Sequence, residues 1–421
     1  MQSENVGRLA TGARISVLRW WPSRLRGSSG VAHAGAPRRA AVDHRLPAGA
    51  DVPRSASERA DATEPRATPA AFAARPLPVD ESLTARWSRR AVTIPSYLVL
   101  GTLSVVLLPM TVVLALATDA VRRTGHLVTL RCALGLTLYF VCEAAGIVAS
   151  FALWVANGVW PGPTAERMET WNLRLQRRWA RTLFAGATML FNMRTEVTGA
   201  EAVGRGPLFL FSRHASTLDT LLPAVFVTDP HSLRLGHVMK RELLWDPCLD
   251  IVGQRTRNAF VRRGSGERDR EIALLRQLAA AVGERDGVLL FPEGTRFSSA
   301  KRDRVLAHLA ATEQHARLER ARRLQHVLPP RRSGVLALLE TRPDVDAVFL
   351  AQIGFEGAAS LNDIWGGKLI GRTVRLCFWR VPSAEIPRTA EDRAAWLDAQ
   401  WARVDAWVAA QASGRPEVTS T

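Results

Sequence analysis

Two short segments hold residue types suited to catalysis. One is Ser212-Arg213-His214-Ala215-Ser216-Thr217-Leu218-Asp219; the other, beginning 72 residues after that aspartate, is Phe291-Pro292-Glu293-Gly294-Thr295-Arg296. If a strand ends before His214 and a helix follows, Asp219 lies about one turn into that helix, within reach of the imidazole Nδ1. A carboxylate there fixes the tautomer and leaves Nε2 free to take a proton from a hydroxyl, which is the part His and Asp play in a triad. No protein nucleophile is required, because the hydroxyl is the substrate's own. The same spacing also fits a buried histidine with a structural aspartate. In the second segment Gly294 permits positive φ or close backbone approach, and Thr295 and Arg296 add donors. A guanidinium grips a phosphate through two parallel hydrogen bonds. Taken alone, this turn reads equally as a strand-to-loop connection with a surface ion pair between Glu293 and Arg296. Arg262 and Arg263, after another apolar run, reach the same side of a sheet or are plain solvated charge.

The elements that must position these residues follow from hydrophobic periodicity. Apolar runs predict strands at 208–211, 237–239, 259–262, 288–291, 347–353 and 374–379, and helical patterns cover 218–227, 267–282, 304–324, 333–340 and 390–412. Such alternation predicts an α/β domain from about residue 166 onward, with a mostly parallel sheet flanked by helices on both faces. Ligands of such sheets sit beyond the carboxyl ends of the strands. Both segments directly follow a predicted strand, at Phe211 and at Phe291.

Ahead of this domain, 28 residues between Arg90 and Asp119 carry no charge, long enough as a helix to exceed the roughly 30 Å hydrocarbon core of a bilayer. Pro95 and Pro109 should bend it. A second apolar stretch, 132–160, holds one charge, Glu143, and ends in Trp154, Trp160, Pro161 and Pro163, which suits interfacial anchoring and helix termination. The pair predicts a membrane helical hairpin over 86–165. Arg122, Arg123 and Arg131 in its connection oppose sending that loop across a membrane, so the hairpin either spans or lies partly embedded as a monotopic anchor. Glu143 reads as a functional intramembrane carboxyl or, more blandly, as a protonated or hairpin-paired glutamate.

Residues 1–85, rich in Ala, Arg, Pro, Ser and Gly, bury too little to fold and are expected to be disordered. They lack the apolar core of a secretory signal. The net charge of +17 is almost all arginine, since only Lys240, Lys301 and Lys368 are lysine. That bias is expected of a GC-rich genome, and it weakens any inference from pI 11.2 to nucleic acid. Nothing resembles a nucleic-acid-binding motif, a GxSxG elbow or a GxxxxGK[ST] loop. Cys132, Cys142, Cys248 and Cys377 form no CxxC pair, which indicates neither a zinc site nor a disulfide framework.

In their order and residues these motifs resemble the glycerophospholipid acyltransferase family that includes the 1-acylglycerol-3-phosphate acyltransferases. His214 and Asp219 match its NHxxxxD block, Ala259-Phe260-Val261-Arg262-Arg263 its second block with Arg263 in the arginine place, and 291–296 its FPEGTR block in full. Lys240, Glu242, Leu243 and Pro247 resemble residues between the first two blocks, and Leu328-Pro329 with Gly334 resembles a segment of the long-chain, lysocardiolipin-type branch. The resemblance covers about 90–410. It implies His214 as general base, Asp219 as its orienting partner, and Arg263, Glu293, Gly294, Thr295, Arg296 and, more weakly, Lys240 as binders of the acceptor. The implied reaction moves a fatty acyl group from acyl-CoA or acyl carrier protein to a lysophospholipid hydroxyl, with lysophosphatidic acid becoming phosphatidic acid. It involves no metal, no resident cofactor and no nucleic acid. The alternatives are another acceptor (lysocardiolipin, a glycolipid or an aminolipid) or a non-catalytic anionic-lipid binder of the same fold. The expected place is the cytoplasmic face of a bacterial plasma membrane. Two departures stand out: Arg213 replaces the asparagine before the histidine, altering how the loop is held or adding an anion contact, and Val348-Phe349-Leu350-Ala351 lacks the fourth block's proline.

Overall fold

The structure, a computed structural model, describes residues 77, 79–123, 125–159, 164–262, 268–358 and 361–413. The expected disordered tail therefore lies outside the described residues except at its end, where the chain is already helical. Ser82 caps a helix by accepting from the Ala85 amide, and α1 runs Leu83–Val106, followed by α2 at Leu108–Arg122. The two meet at a 68° bend, so the expected kinked helix is in fact two helices. Pro95 is accommodated within α1, whereas Pro109 occupies the first turn of α2, where a missing N–H costs no hydrogen bond. The returning helix α3, Val128–Val159, is 32 residues long, about 48 Å. Among the described residues it alone is long and apolar enough to cross a membrane unless the bent pair counts as one span, and only 22% of its most apolar stretch is buried. Trp160, Pro161 and Pro163 lie outside the described residues.

After α3 come α4 (Ala165–Leu190), β1 (Arg194–Thr198), β2 (Leu208–Ser212), β3 (Arg234–Lys240), α5 (Pro247–Gly253) and β4 (Ala259–Val261). Then follow α6 (Arg268–Ala280), β5 (Asp286–Leu290), α7 (Ser299–Ala311), α8 (His315–Arg323) and α9 (Arg332–Thr341). The chain ends with β6 (Asp346–Ile353), α10 (Leu361–Trp365), β7 (Thr373–Val381) and α11 (Ala390–Ala412). The seven strands form one sheet in the order β1-β7-β6-β2-β5-β3-β4, parallel throughout except for the β6–β7 pair.

All six predicted strands are present, and β1 is added. Its burial simply alternates along Arg-Thr-Glu-Val-Thr at the sheet edge, so it offers no apolar run to find. Helix α4 is also added; its buried stripe mixes Glu169 and Asn172 with Leu173, Ala180 and Phe184, so it shows as no continuous apolar run. The predicted helix 304–324 starts earlier, at the Ser298 cap, and breaks at Glu313, whose φ of 52° no helix continues. The predicted helix 218–227 is a 3-10 turn, Leu218–Leu221, and then a single wide turn, Ala224–Thr228.

Strand β2 shows how the sheet divides the core. Phe209 and Phe211 face α6, α9 and α11, in the company of Leu338 and Trp401, while Leu208 and Leu210 face α4 with Phe184. Helix α3 packs on the α4 face. Its polar contacts to the domain are spread along its length. The Cys132 thiol lies near the Ile364 carbonyl, Tyr139 Oη donates to Asp246 at 3.0 Å, and Arg255 donates to Ser150 Oγ at 2.7 Å. Glu143 is fully buried and accepts from Trp179 Nε1 of α4 at 3.0 Å, so its partner comes from outside the hairpin. Gly146 is required where α3 crosses α5, since a Cβ there would lie 2.6 Å from Cys248 Sγ. At the base of α1, Arg89 and Arg90 both pair with the buried Asp250, at 2.9 and 2.7 Å.

Candidate active site

Strands β2 and β5 are neighbours and parallel, with Phe211 beside Leu290, so the two segments emerge side by side at the carboxyl edge of the sheet. Lys240 ends the next strand along. Topology alone thus brings His214, Gly294 to Arg296, and Lys240 to one edge.

The His214 side chain is 17% exposed, and its Nδ1 lies 3.4 Å from Asp219 Oδ2. Its ring rests on Phe291 with centroids 4.4 Å apart at 31°. Asp219 is completely buried, and the same Oδ2 accepts the Ala215 and Ser216 amides at 2.5 and 2.6 Å. The carboxylate therefore holds the loop that carries the imidazole as well as facing the ring. The distance to Nδ1 is long for a hydrogen bond, as catalytic contacts without substrate often are.

Two reciprocal contacts join the segments: the His214 amide donates to Glu293 Oε1 at 2.8 Å, and the Phe297 amide donates to the His214 carbonyl at 2.7 Å. Glu293 accepts the Leu328 amide on its other oxygen at 2.9 Å and is only 2% exposed. Glu293, expected to meet the acceptor, is here engaged in holding the two loops together. Both of its oxygens accept backbone amides. Burial pushes its carboxyl up to about 7 from 4.5, against the pull of Arg213 and of the Leu328 and His214 amides. Because the folded protein keeps a proton that the unfolded chain has already released, this group's contribution to stability is present below 4.5 and lost as pH rises through about 7. Glu293→Gln should remove that slope. Urea midpoints measured across this window should fall with pH in the parent relative to the variant, and parallel curves would refute the assignment.

Arg213 is 1% exposed. It donates to the carbonyls of Gln352 (2.7 Å) and His326 (3.0 Å) and to Glu356 (2.7 Å). Of the two readings of this departure, the loop-holding one fits: a buried guanidinium with these partners has no room for a substrate anion. The loop it grips is fixed from the other side by α11. Asp405 accepts the amides of Gln325, His326 and Val327, and Trp401 Nε1 donates to the Leu328 carbonyl at 3.0 Å.

Gly294 has φ of 70°, so the turn needs glycine there, and the Arg331 side chain lies against its open side. Arg296 donates to Thr217 Oγ1 at 2.8 Å, which places it over the His214 loop. Thr295 Oγ1 accepts from Lys301 Nζ at 3.0 Å, and the same ammonium donates to the Arg296 carbonyl at 2.9 Å. Lys301 is given no role by the motifs. Burial lowers its pKa first, and repulsion from Arg296, Lys240 and Arg304 lowers it further. Lys301 thus sits within electrostatic reach of Arg296, Lys240 and Arg304, a gathering of cations that an anion relieves. The available signal was one of only three lysines in the chain, placed five residues after Arg296. Arg262 is exposed at the end of β4, and Arg263 lies outside the described residues. Among the described residues no cluster of His, Cys, Asp and Glu is suited to a metal ion.

Residues 194–338 match the family model described as Acyltransferase. A curated relative, 1-acyl-sn-glycerol-3-phosphate acyltransferase epsilon of Mus musculus, is 24% identical over 200 residues, or 44% of this chain and 53% of that protein. The chain thus spans about half the length of that relative. A solved structure, the 1-acyl-sn-glycerophosphate (LPA) acyltransferase PlsC from Thermotoga maritima, aligns over 66% of this chain and 95% of its own, with 16% identity and a TM-score of 0.45.

Proposed function

With residues 194–338 being an acyltransferase-family domain, we propose that the protein transfers a fatty acyl group from a thioester to the free hydroxyl of a lysophospholipid, lysophosphatidic acid first among acceptors. His214 Nε2 takes the hydroxyl proton while Asp219 holds the ring and its loop in place. The alkoxide attacks the thioester carbonyl, the new C–O bond forms, the C–S bond breaks, and the departing thiolate recovers the proton from the imidazolium. Arg296, Lys301 and Lys240 hold the acceptor's phosphate. The observation that carries this reading is an accessible imidazole, backed by a buried carboxylate, on the same strand-end edge as a crowd of cations.

The hairpin lends support. Helix α3 touches the domain at Cys132 near its start, at Tyr139 and at Ser150, over more than half of its length. A helix so packed lies alongside the domain, which favours a monotopic anchor over a spanning pair. Its outward side, with Val148, Phe151 and Trp154 exposed, is the surface for lipid. The site then works at the membrane surface.

The test is transfer of a labelled acyl group from acyl-CoA to lysophosphatidate in vesicles, in competition with lysocardiolipin, lyso-glycolipid and lyso-aminolipid acceptors. Preference for one of the competitors reassigns the acceptor. Binding of anionic lipid without turnover from any acyl thioester overturns the enzymatic reading. Lys301→Ala is expected to raise the KM for lysophosphatidate about tenfold, the loss of one charge-assisted hydrogen bond, with kcat nearly unchanged. An unchanged KM at low salt would remove Lys301 from the acceptor site.

A further inference from the structure

We propose that a second site, remote from the hairpin, receives the phosphorylated adenosine of coenzyme A; the inference rests on the acyl-transfer reading above. A cavity of about 470 Å³ opens between α7, α8 and α11, with apolar walls that include Leu309, Ala321, Leu324 and Ala399. It does not include His214. Arg317, Arg320, Arg323 and Arg332 line it, against only Glu391 and Asp398.

The charges do not balance within the cavity. Asp398 is shared by Arg320, at 3.1 Å, and Arg332. Arg317 donates to the neutral Gln314 at 2.6 Å, and neither it nor Arg323 pairs with a carboxylate among the described residues. Two guanidinium groups are left to face solvent beside an apolar floor. A ligand that matches this carries several negative charges on a flat, weakly polar body, as a phosphorylated nucleoside does.

Position separates a soluble ligand from a lipid. The cavity lies against α11, on the sheet face covered by α6, α9 and α11, whereas the apolar hairpin packs on the opposite face with α4. The arginine-lined cavity and the exposed apolar surface of the hairpin therefore belong to opposite faces of the sheet. Position also connects the cavity to the chemistry. Its wall includes Pro329 and Pro330, which lie between Leu328, whose amide donates to Glu293, and Arg331, whose amide donates to the Pro292 carbonyl at 2.8 Å. The cavity thus backs onto the segment that flanks His214, and a donor seated there carries its thioester arm around that segment toward the imidazole. Helices α7 and α8 pack on each other through their own small cluster of Leu309, Leu318 and Ala321, so they form this rim without being needed to close the main core.

The experiment is calorimetric titration of the full-length protein in detergent with coenzyme A and with its 3′-dephospho form, alongside acyl-transfer kinetics. It compares the parent with Arg317→Ala/Arg323→Ala, two exposed positions outside the proposed catalytic and acceptor residues. In the parent, coenzyme A should bind more tightly than the dephospho form. In the variant that difference should vanish, and the KM for acyl-CoA should rise about tenfold or more with kcat and the KM for lysophosphatidate unchanged. Coenzyme A affinity equal in parent and variant overturns the site. So does a variant impaired only with acyl carrier protein as donor, which would make the rim a docking face for that protein. Because binding is read independently of turnover, selective loss of coenzyme A in the variant supports the site even where the parent transfers no acyl group.

Discussion

Alanine at position 214 is expected to lower kcat for acyl transfer about a thousandfold, within the 10²- to 10⁴-fold range of a positioned general base. The acceptor hydroxyl is a poor nucleophile until its proton has somewhere to go, and no other titratable group shares the imidazole's place. Its neighbours on that edge, Arg296, Lys301 and Lys240, are cations, and Asp219 is wholly buried behind it. Folding should survive, because the side chain packs chiefly on Phe291 and is itself partly exposed. Circular dichroism and binding of anionic lipid should therefore match the parent while single-turnover transfer is lost. Asp219→Asn should be impaired too, and less cleanly. Its Oδ2 also holds the Ala215 and Ser216 amides, so loop order falls along with ring orientation. Full turnover by the alanine variant at position 214 would end the assignment of the base.

Glu293→Ala should be the most destabilising change in the site. It strands the His214 and Leu328 amides, both in buried surroundings, and each orphaned donor costs about 1–3 kcal/mol. The sum, about 2–6 kcal/mol, is a large part of the 5–15 kcal/mol typical of a folded domain. It also frees Arg213 of a nearby opposite charge. A lower urea midpoint should accompany lost turnover, and added acceptor should not rescue it, since acceptor binding is not what fails. Normal stability with a raised KM for acceptor would instead restore Glu293 to the phosphate site.

The sheet was legible because its buried strands are short apolar runs. The two motifs were legible because both sit directly after such runs, and β2 and β5 turn out to be neighbours. What was hidden depended on side chains acting at a distance. Glu293 lies in a segment full of donors, so it reads as part of an anion site until its two amide partners are known. Arg213 looks like a free cation until the carbonyls of His326 and Gln352, more than a hundred residues away, close on it. Helix α4 is amphipathic but of low overall apolarity, and β1 is a polar edge, so neither contains an apolar run. Lys301 needed the fold of α7 to bring it back over Thr295. The helix expected from 218 gave way because Asp219 turns back on its own loop amides.

The three-residue β4 is an edge strand that pairs only with β3, whereas the strand feeding His214 lies in the interior of the sheet with a parallel neighbour on each side. The edge and the interior of the sheet therefore rest on unequal ground. Drift in β4 at the margin can proceed while the inner strands that carry His214 and the Thr295–Arg296 turn stay undisturbed.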